Sequence, residues 1–246
     1  EVLLKQMERQ IEEGNSPNPI MRTYQFIRPT IIFGRYQNPD GRINKEEAQK
    51  LEIEITRRES GGGHMHFSPE DLHFSFIAPM NYFQTEDLIA RYQKVNSIIS
   101  DALIKAGFQI RLGRTSLRIN HTYGKIIAGT ARKEEQNVSL QQGSIMVKEY
   151  TPKIFEILCA TTYEKRLWIE RVATLNQLTP QNFTNAISFY GFQTRQITEE
   201  EILAARKLAE NKYRLSEFIF TGKHDVGICL VADYTKDIKE VSTIST

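Results

Sequence analysis

The chain has 246 residues, of which 40% are hydrophobic and 25% charged, and these proportions are typical of a globular protein. Its net charge is +2, and the sequence contains no Lys/Arg block that would indicate a nucleic-acid partner. No apolar run is long enough to span a membrane. The two cysteines, Cys159 and Cys229, lie in apolar stretches without the spacing of a disulfide framework or a metal site. This usage favours a reducing interior, so we expect a cytoplasmic protein.

The first half of the sequence contains both helical and extended patterns. Residues 1–13 carry apolar side chains at helical spacing. Asn44 is the predicted N-cap of a short helix that ends at Leu51, and the longest predicted helix covers residues 85–108, with Thr85 as its N-cap. Strands are predicted at residues 19–27, 30–35, 53–56 and 72–78.

The second half continues the same mixture of elements. Strands are predicted at residues 109–112, 124–131, 140–147 and 226–233, and helices at residues 152–160, 167–173, 180–189 and 199–214. The polar tail after Tyr234 is expected to fray. Because the strands come partly in runs, we predict a single α/β domain of the α+β type over residues 1–246, with a mixed, largely antiparallel sheet flanked by helices.

Two adjacent arginines followed by three adjacent glycines form the most informative segment of the chain. The segment reads Arg57, Arg58, Glu59, Ser60, Gly61, Gly62 and Gly63. Glycine has no Cβ, so this backbone can lie directly against a ligand. Consecutive N–H groups in such a turn can bind an anion, and guanidinium groups add positive charge. The segment predicts a phosphate or carboxylate site, although a flexible loop with two solvated arginines would show the same pattern.

Lys125 begins an apolar strand whose other end is kept narrow by Gly129 and Ala131. A lysine at the mouth of such a strand can direct its charge at a phosphate or a carbonyl oxygen. A surface lysine at a β-turn is the alternative interpretation.

Three histidines follow the glycines, and strand alternation places His64 and His66 on one face. Two metal ligands are therefore geometrically available, but neither a cysteine nor a cluster of acids supplies a third. We predict no metal site and expect one imidazole to face a ligand, with His73 and the remaining histidine outside it. Cys159 and Cys229 lack a neighbouring glycine turn or basic group, so both are predicted to be small core residues.

The arginine–glycine segment and the lysine strand together resemble the lipoate–protein ligase and octanoyltransferase family, whose catalytic domain is shared with biotin–protein ligases. Further segments resemble family motifs in the same order along the chain. They are Phe33-Gly34-Arg35-Tyr36-Gln37, Gln142-Gly143-Ser144-Ile145, Arg171-Val172-Ala173-x-Leu175, and Lys212-Tyr213 with Glu217-Phe218. The resemblance implies the fold of that catalytic domain, without the C-terminal accessory domain that larger ligases carry.

The resemblance implies that the protein activates lipoate with ATP and Mg²⁺ to lipoyl-AMP and then passes the acyl group to a lysine of a lipoyl domain. Lys125 would be the catalytic residue that holds the acyl-phosphate oxygens, and the strand at residues 72–78 would wall a tunnel for the acyl chain. The implied substrate- and ATP-binding residues are Arg58, Ser60, Gly61, Gly62, Gly63, His66, Gly129, Thr130 and Ala131. The implied partners are lipoyl domains of 2-oxoacid dehydrogenase complexes or the glycine cleavage H protein, with a separate accessory chain as an option.

The chain departs from the family pattern at several positions. Its glycines are followed by His64-Met65-His66-Phe67-Ser68 instead of Ala-Val-aromatic-His-Asp, so the usual histidine position is Phe67 and an imidazole lies one residue earlier. Gln142 replaces the later histidine, Thr115-Ser116 replaces Asn-Asp, and Phe218 replaces the closing tryptophan.

Two other functions stay open beside the ligase. An octanoyl or lipoyl transferase, taking the acyl group from an acyl-carrier protein or a lipoyl protein, would work through a cysteine thioester before or well after the lysine strand. Residues 114–118 contain no cysteine, and Cys159 would serve only if it faced the pocket, against which its helical apolar setting argues. The third candidate is a binding module that has lost catalysis, which the departures at the histidine and Asn-Asp positions motivate.

Overall fold

The structure is a computed structural model that describes residues 1–120, 124–150, 153–192, 194–221 and 243–245. Its α-helices are α1 (Val2–Glu12), α2 (Lys45–Lys50), α3 (Leu88–Lys105), α4 (Lys153–Ile157), α5 (Thr162–Arg171), α6 (Pro180–Ser188), α7 (Glu199–Leu208) and α8 (Ser216–Thr221). Its strands are β1 (Ile20–Tyr24), β2 (Thr30–Phe33), β3 (Glu54–Arg57), β4 (Met65–Phe67), β5 (Leu72–Pro79), β6 (Ile110–Leu112), β7 (Ser116–Ile119), β8 (Ile126–Glu134), β9 (Val138–Ile145), β10 (Thr194–Gln196) and β11 (Thr243–Ser245).

Most strands belong to one large antiparallel sheet. Its order is β10-β11-β1-β5-β9-β8-β7-β6, so β6 is an edge strand. A smaller sheet, β3-β2-β4, combines a parallel pair (β2 with β3) and an antiparallel pair (β2 with β4). The predicted fold class is confirmed: a mixed, largely antiparallel sheet arrangement flanked by helices.

Alternation along β5 divides the core between the two faces of the large sheet. Phe74 and Phe76 belong to the main core, which α3 and α6 cover with residues such as Leu103 and Phe183. Ile77 points to the other face and packs in a smaller cluster against α1. A third cluster joins the small sheet to α2 and α4. The large sheet is therefore a buried wall with helices on both sides.

Several helix boundaries differ from the sequence predictions because of local capping. The α3 helix begins at Leu88 instead of Thr85, since the side chain of Asp87 accepts a hydrogen bond from the N–H of Ala90 (2.9 Å). The predicted helix at residues 167–173 starts earlier, as α5, because a capping box at Thr161 fixes its start.

Other elements were displaced or missed. The helix predicted at residues 152–160 is confined to α4, and the helix predicted to Arg214 changes at Ala209–Tyr213 into a π-helix. The strand β7 was not predicted, and β11 forms within the tail that was expected to fray, where it pairs with β1 and β10. The strand predicted at residues 226–233 lies outside the described residues. Among the helices that the structure describes, none is long and apolar enough to cross a membrane.

Candidate active site

Two cavities of similar size lie beside the glycine loop, which is defined here as residues 60–64. The first cavity, about 780 Å³, is enclosed by β4, β7 and β8 on one side and by α4 and α5 on the other. The second cavity, about 710 Å³, lies between the large sheet and helices α1 and α7. Both volumes fall within the usual range for small-molecule sites.

Arg58 holds the glycine loop together from inside. Its guanidinium donates to the carbonyl oxygens of Gly61 and Gly63, at 2.7 Å each, to Ser60 Oγ at 3.1 Å and to Ile32 O at 3.3 Å. Burial lowers the pKa of Arg58 to about 10, so the side chain remains a cation at neutral pH. The predicted clamp for a ligand is committed to the loop itself.

The N–H groups of the loop differ from its carbonyl groups in having no protein partner among the described residues. In the part of the chain that the structure describes, the N–H groups of Gly61, Gly62 and Gly63 donate no hydrogen bond to a protein acceptor. Gly62 has a φ of 96°, a left-handed conformation that favours glycine. A loop whose carbonyls are bound by a half-buried guanidinium and whose N–H groups are uncommitted can accept a phosphate or carboxylate.

Arg57, which precedes Arg58, lies beside the second cavity but is committed to backbone carbonyls. It is 1% exposed and donates to five carbonyl oxygens at 2.8–2.9 Å, those of Gly34, Arg35, Gln37, Phe218 and Ile219. Gly34 lies so close to the glycine loop that a Cβ on it would be 2.0 Å from Gly62 O. Arg57 therefore fixes the end of β2 and helix α8 around the loop.

The hydrogen-bonded pair of Ser60 and Gln142 is called the partition here, because it connects the loop that reaches the first cavity at His64 with the wall of the second cavity at Gln142. Ser60 is buried, and its Oγ accepts hydrogen bonds from Arg58 Nε (3.1 Å) and from Gln142 Nε2 (3.0 Å). Arg58 and Gln142 line the second cavity, together with Ile77 of β5. Gln142, which stands where the family carries a histidine, thus connects β9 to the glycine loop.

His66 lies on the wall of the first cavity. Burial lowers the pKa of its imidazole to about 4, so the ring is neutral at pH 7. The ring contacts Tyr150 edge-on at 4.7 Å between centroids. Tyr150 Oη donates to His66 O (2.7 Å) and contacts the buried carboxylate of Asp71 (3.3 Å). Phe67, at the usual histidine position, points to the opposite face and stacks on Phe26.

The predicted binding residues take three kinds of position, and Ser60, Gly61, Gly62 and Gly63 line neither cavity. His66, Gly129 and Thr130 line the first cavity, and Arg58 lines the second. Ala131 is paired with Gln142 in the sheet and lines neither cavity in the described part of the chain.

Lys125 stands at the margin of the first cavity and is not among the residues that line it. Its ammonium donates to the carbonyl oxygen of Ile169 (3.0 Å) in the last turn of α5. A parallel bridge between Ile126 and Val172 holds the same junction. In this state the lysine binds the helix that covers the cavity, and a single hydrogen bond would have to break before it met a ligand.

Sequence reasoning missed the residues of α5 and the aromatic wall of the first cavity. Trp168 packs against Tyr150 at 5.4 Å between ring centroids, and Phe155 meets Trp168 at 6.5 Å. Three arginines also line the cavity: Arg42, Arg118 and Arg171. These arginines were visible in the sequence, but nothing local indicated that three separate elements bring them together.

The prediction for Cys159 was wrong. The residue follows α4 with a φ of 46°, is exposed, and lines the first cavity instead of the core. Its Sγ–H points to Ile157 O at 3.9 Å. The apolar sequence around it belongs to Ile154 and Ile157, whose side chains are buried while the chain turns outward at the cysteine.

No group of three or more His, Cys, Asp or Glu side chains that could hold a metal ion occurs among the described residues. Glu164 is the carboxylate on the wall of the first cavity. A magnesium ion that arrives with ATP keeps phosphate and water ligands and needs only one or two protein carboxylates. The donor set of the cavity is therefore compatible with Mg²⁺ as a companion of a nucleotide.

Comparison with protein-family models shows which family the chain belongs to. Residues 1–188 match the lipoyl protein ligase A/B catalytic domain. The chain belongs to this family.

Its curated relatives include both ligases and transferases. The octanoyltransferase LipM of Carboxydothermus hydrogenoformans is 22% identical over 239 residues, which cover 84% of this chain and 88% of that protein. The lipoate-protein ligase A of Psychrobacter cryohalolentis is 30% identical over 149 residues, which cover 58% of this chain and 40% of that protein. Family membership thus establishes an enzyme of the lipoate ligase and octanoyltransferase type.

Solved structures confirm the fold. The bi-partite lipoate protein ligase of Thermoplasma acidophilum, described with its E2 lipoyl domain, superposes with a TM-score of 0.74 at 22% identity, covering 88% of this chain and 90% of that one. A lipoate-protein ligase A bound with ATP superposes with a TM-score of 0.70 at 21% identity, covering 86% of this chain and 90% of that one.

Proposed function

We propose that this family member is an ATP-dependent lipoate–protein ligase, which forms lipoyl-AMP and transfers the lipoyl group to a lysine of a lipoyl domain. The observation that supports this most directly is the glycine loop, whose N–H groups are uncommitted while Arg58 occupies its carbonyls. Adenylate formation requires the phosphates of ATP to be held in place, and a loop of this kind can hold one.

The first cavity has the chemistry of a nucleotide site. Trp168 and Tyr150 offer faces on which a purine can stack, and Arg118 and Arg171 supply positive charge for phosphates. The glycine loop leads directly into His64 at this cavity. The positive surroundings also act on His64, since burial and Arg42 lower the pKa of its imidazole.

The second cavity fits the acyl chain. Its walls carry aliphatic side chains from four elements, including Leu4, Ile77, Leu140 and Ile202. Each methylene buried there would contribute about 0.8 kcal/mol, so the depth of the cavity can select the length of the chain. The carboxyl group would then lie at the partition of Ser60 and Gln142, between chain and nucleotide.

The reaction has two steps at that partition. A carboxylate oxygen of lipoate attacks the α-phosphorus of ATP, the bond to pyrophosphate breaks, and lipoyl-AMP forms. The amine of the acceptor lysine then attacks the lipoyl carbonyl carbon, AMP leaves, and the new amide loses a proton. Glycine-loop N–H groups would hold the phosphate, and Lys125, once released from Ile169 O, would stabilise its developing negative charge.

The partners follow from this reaction. Lipoyl domains of 2-oxoacid dehydrogenase complexes or the glycine cleavage H protein would be the acceptors, and a separate accessory chain could assist activation. Because ATP and apo lipoyl domains are the proposed substrates, we propose a cytoplasmic location.

The test is to incubate the protein with an apo lipoyl domain and either ATP plus lipoate or octanoyl-acyl-carrier protein, and to weigh the domain. A lipoyl mass increment that requires ATP supports the ligase. Transfer from the carrier protein alone would refute it, and no transfer from either donor would favour the binding module without catalysis.

The exposed position of Cys159 favours a second candidate, an octanoyl or lipoyl transferase. The thiol lines the first cavity after α4, where it could accept an acyl group from a thioester donor. In that reaction the thiolate attacks the donor carbonyl, the donor thiol leaves, and the acceptor lysine then displaces the cysteine.

Cys159→Ser separates the two candidates. The ligase retains activity in this variant, whereas the transferase loses it. A protein-bound octanoyl mass at Cys159 after incubation with octanoyl-acyl-carrier protein alone would establish the transferase and exclude the ligase as the main activity.

A further inference from the structure

The stretch between Asp101 and Glu134 contains seven Lys/Arg residues and no Asp or Glu, although the chain has 30 acidic residues and a net charge of only +2. The seven cations are Lys105, Arg111, Arg114, Arg118, Lys125, Arg132 and Lys133. A strong local excess of one sign within a nearly neutral chain indicates a surface that meets the opposite charge.

The structure separates these cations into paired and unpaired groups. Arg132 and Lys133 form ion pairs with Glu134 and with Glu59. By contrast, the three arginines of the β6–β7 hairpin form no ion pair with any described residue; they are Arg111, Arg114 and Arg118.

The hairpin brings its cations close together. Arg111 is paired directly with Arg118 across the two strands, an arrangement in which like charges destabilise a sheet. Arg118 Nη1 donates to Gly124 O at 3.0 Å, and Arg111 Nε is 2.9 Å from the position that a Cβ on Gly124 would occupy. Lys125 is the next residue. Arg111 and Arg118 therefore lie close enough to repel each other near Gly124. No carboxylate of the described residues pairs with either of them.

This cluster lies at the entrance to the first cavity. Arg118 lines the cavity, whereas Arg111 and Arg114 are exposed on the edge hairpin outside its lining. Charged residues, especially lysine, also protect edge strands from self-association. Protection of the edge strand β6 accounts for Arg111, but Arg114 lies in the turn beyond it and Arg118 lines the cavity from β7.

We propose that the hairpin surface formed by Arg111 and Arg114 docks an acidic face of the acyl-accepting protein domain, so that the acceptor lysine enters the first cavity beside Arg118. The proposal rests on the proposed acyl transfer and adds the surface that selects the partner. A protein fits better than a nucleotide because the two outer arginines stand on an open sheet edge without walls to enclose a small ligand. Rim charges of this kind steer association and discriminate between partners.

The test compares two charge-reversed double variants. The first is Arg111→Glu with Arg114→Glu, which keeps the edge strand charged, and the control is Arg9→Glu with Lys207→Glu, two exposed cations on α1 and α7. Binding of an apo lipoyl domain of net negative charge is measured by calorimetry at about 50 mM and about 300 mM salt. Lipoate-dependent exchange of pyrophosphate into ATP is measured without the domain.

We expect the hairpin variant to bind the domain about tenfold more weakly at low salt, with a smaller salt dependence, while the exchange rate stays within about twofold. The control should match the unmodified protein in both assays. Equal domain binding by the two variants would overturn the proposal, as would a raised KM for ATP with unchanged domain binding. If the double variant does not fold, Arg114→Glu in the hairpin turn carries the same test. Absence of exchange in the unmodified protein would refute the ligase, whereas the binding measurement would still decide the docking surface.

Discussion

The glycine loop and the Lys125 end of β8 carry the two motifs that relate this chain to its family, yet they are built in opposite ways. At the loop, Arg57 and Arg58 are almost fully occupied by backbone carbonyls. At the start of β8, Lys125 Nζ donates one hydrogen bond among the described residues, to Ile169 O on α5. The helix α5 has no buried residue. The motif arginines therefore hold the glycine loop in place through many hydrogen bonds, whereas the lysine is held by one.

The largest expected effect tests Lys125. Lys125→Ala should reduce acyl transfer by about a hundredfold or more, because the charge proposed to stabilise the acyl-phosphate oxygens is lost. The melting temperature should change little, since the variant loses one hydrogen bond at a partly exposed site. Lys50→Ala on α2, an exposed surface lysine, is the control. Normal transfer by the Lys125 variant would refute the role assigned to this residue.

The next largest effect tests the two arginines at the glycine loop. Arg57→Met should lower the free energy of unfolding by at least about 3 kcal/mol, because it removes five hydrogen bonds from a buried guanidinium to carbonyl oxygens. Arg58→Met should cost less stability, since the loop that it binds is half open to solvent, but should weaken ATP binding more. Urea denaturation and nucleotide titration measure the two quantities. Equal losses of stability would contradict the division of labour between the neighbouring arginines.

A smaller effect probes the shape of the loop. Gly34→Ala would place a Cβ 2.0 Å from Gly62 O, so the loop must shift, at a cost of about 1–3 kcal/mol. We expect ATP affinity to fall about tenfold. Gly61→Ala is the matched control, since a Cβ there meets nothing within 4 Å. Similar affinities for the two variants would show that the close approach of β2 to the loop does not matter for binding.

The smallest effect is a pH dependence that contrasts a core histidine with a cavity histidine. Burial lowers the pKa of His73 to about 3 and that of His66 to about 4, from 6.5. The unfolded chain therefore binds more protons below pH 6.5, and stability present above that pH is lost as the pH falls, by about 1.4 kcal/mol per pH unit for each histidine. His73→Phe should reduce this slope between pH 6.5 and 5, measured by urea denaturation. An unchanged slope would contradict the burial of a neutral ring.

His66 and His73 should respond differently when a nucleotide binds. A nucleotide in the first cavity contacts the surroundings of His66 and leaves His73, which is enclosed by Phe26 and Phe67, unaffected. NMR titration of the two imidazoles with ATP should therefore shift the resonances of His66 and not those of His73. Equal shifts would place the nucleotide elsewhere.

Much of the fold was predictable because it depends on local patterns. Alternation along β5 and the spacing in α3 identified both elements, and the boundaries failed where a cap such as Asp87 competed with Thr85. The short strand β7 was missed because its pairing with β6 and β8 is a tertiary property.

The site was predictable only in part. The arginine–glycine segment predicted an anion site, which stays a prediction, and the sequence could not show that Arg58 binds its own loop. The outward turn at Cys159 depends on a single backbone conformation after α4, and the position of Lys125 depends on where α5 packs. These features arise from contacts between distant segments, which no local pattern encodes.

The reach of Arg57 has a consequence for how the protein is made. Two of its acceptors, the carbonyls of Phe218 and Ile219, follow it by more than 160 residues in the chain. A nascent chain on the ribosome can form β2, β3 and the first helices well before α8 has been synthesised, and long-range closures of this kind come late in folding. The proposed anion site would therefore be completed last. A partly synthesised chain would contain part of the sheet but would not yet be active.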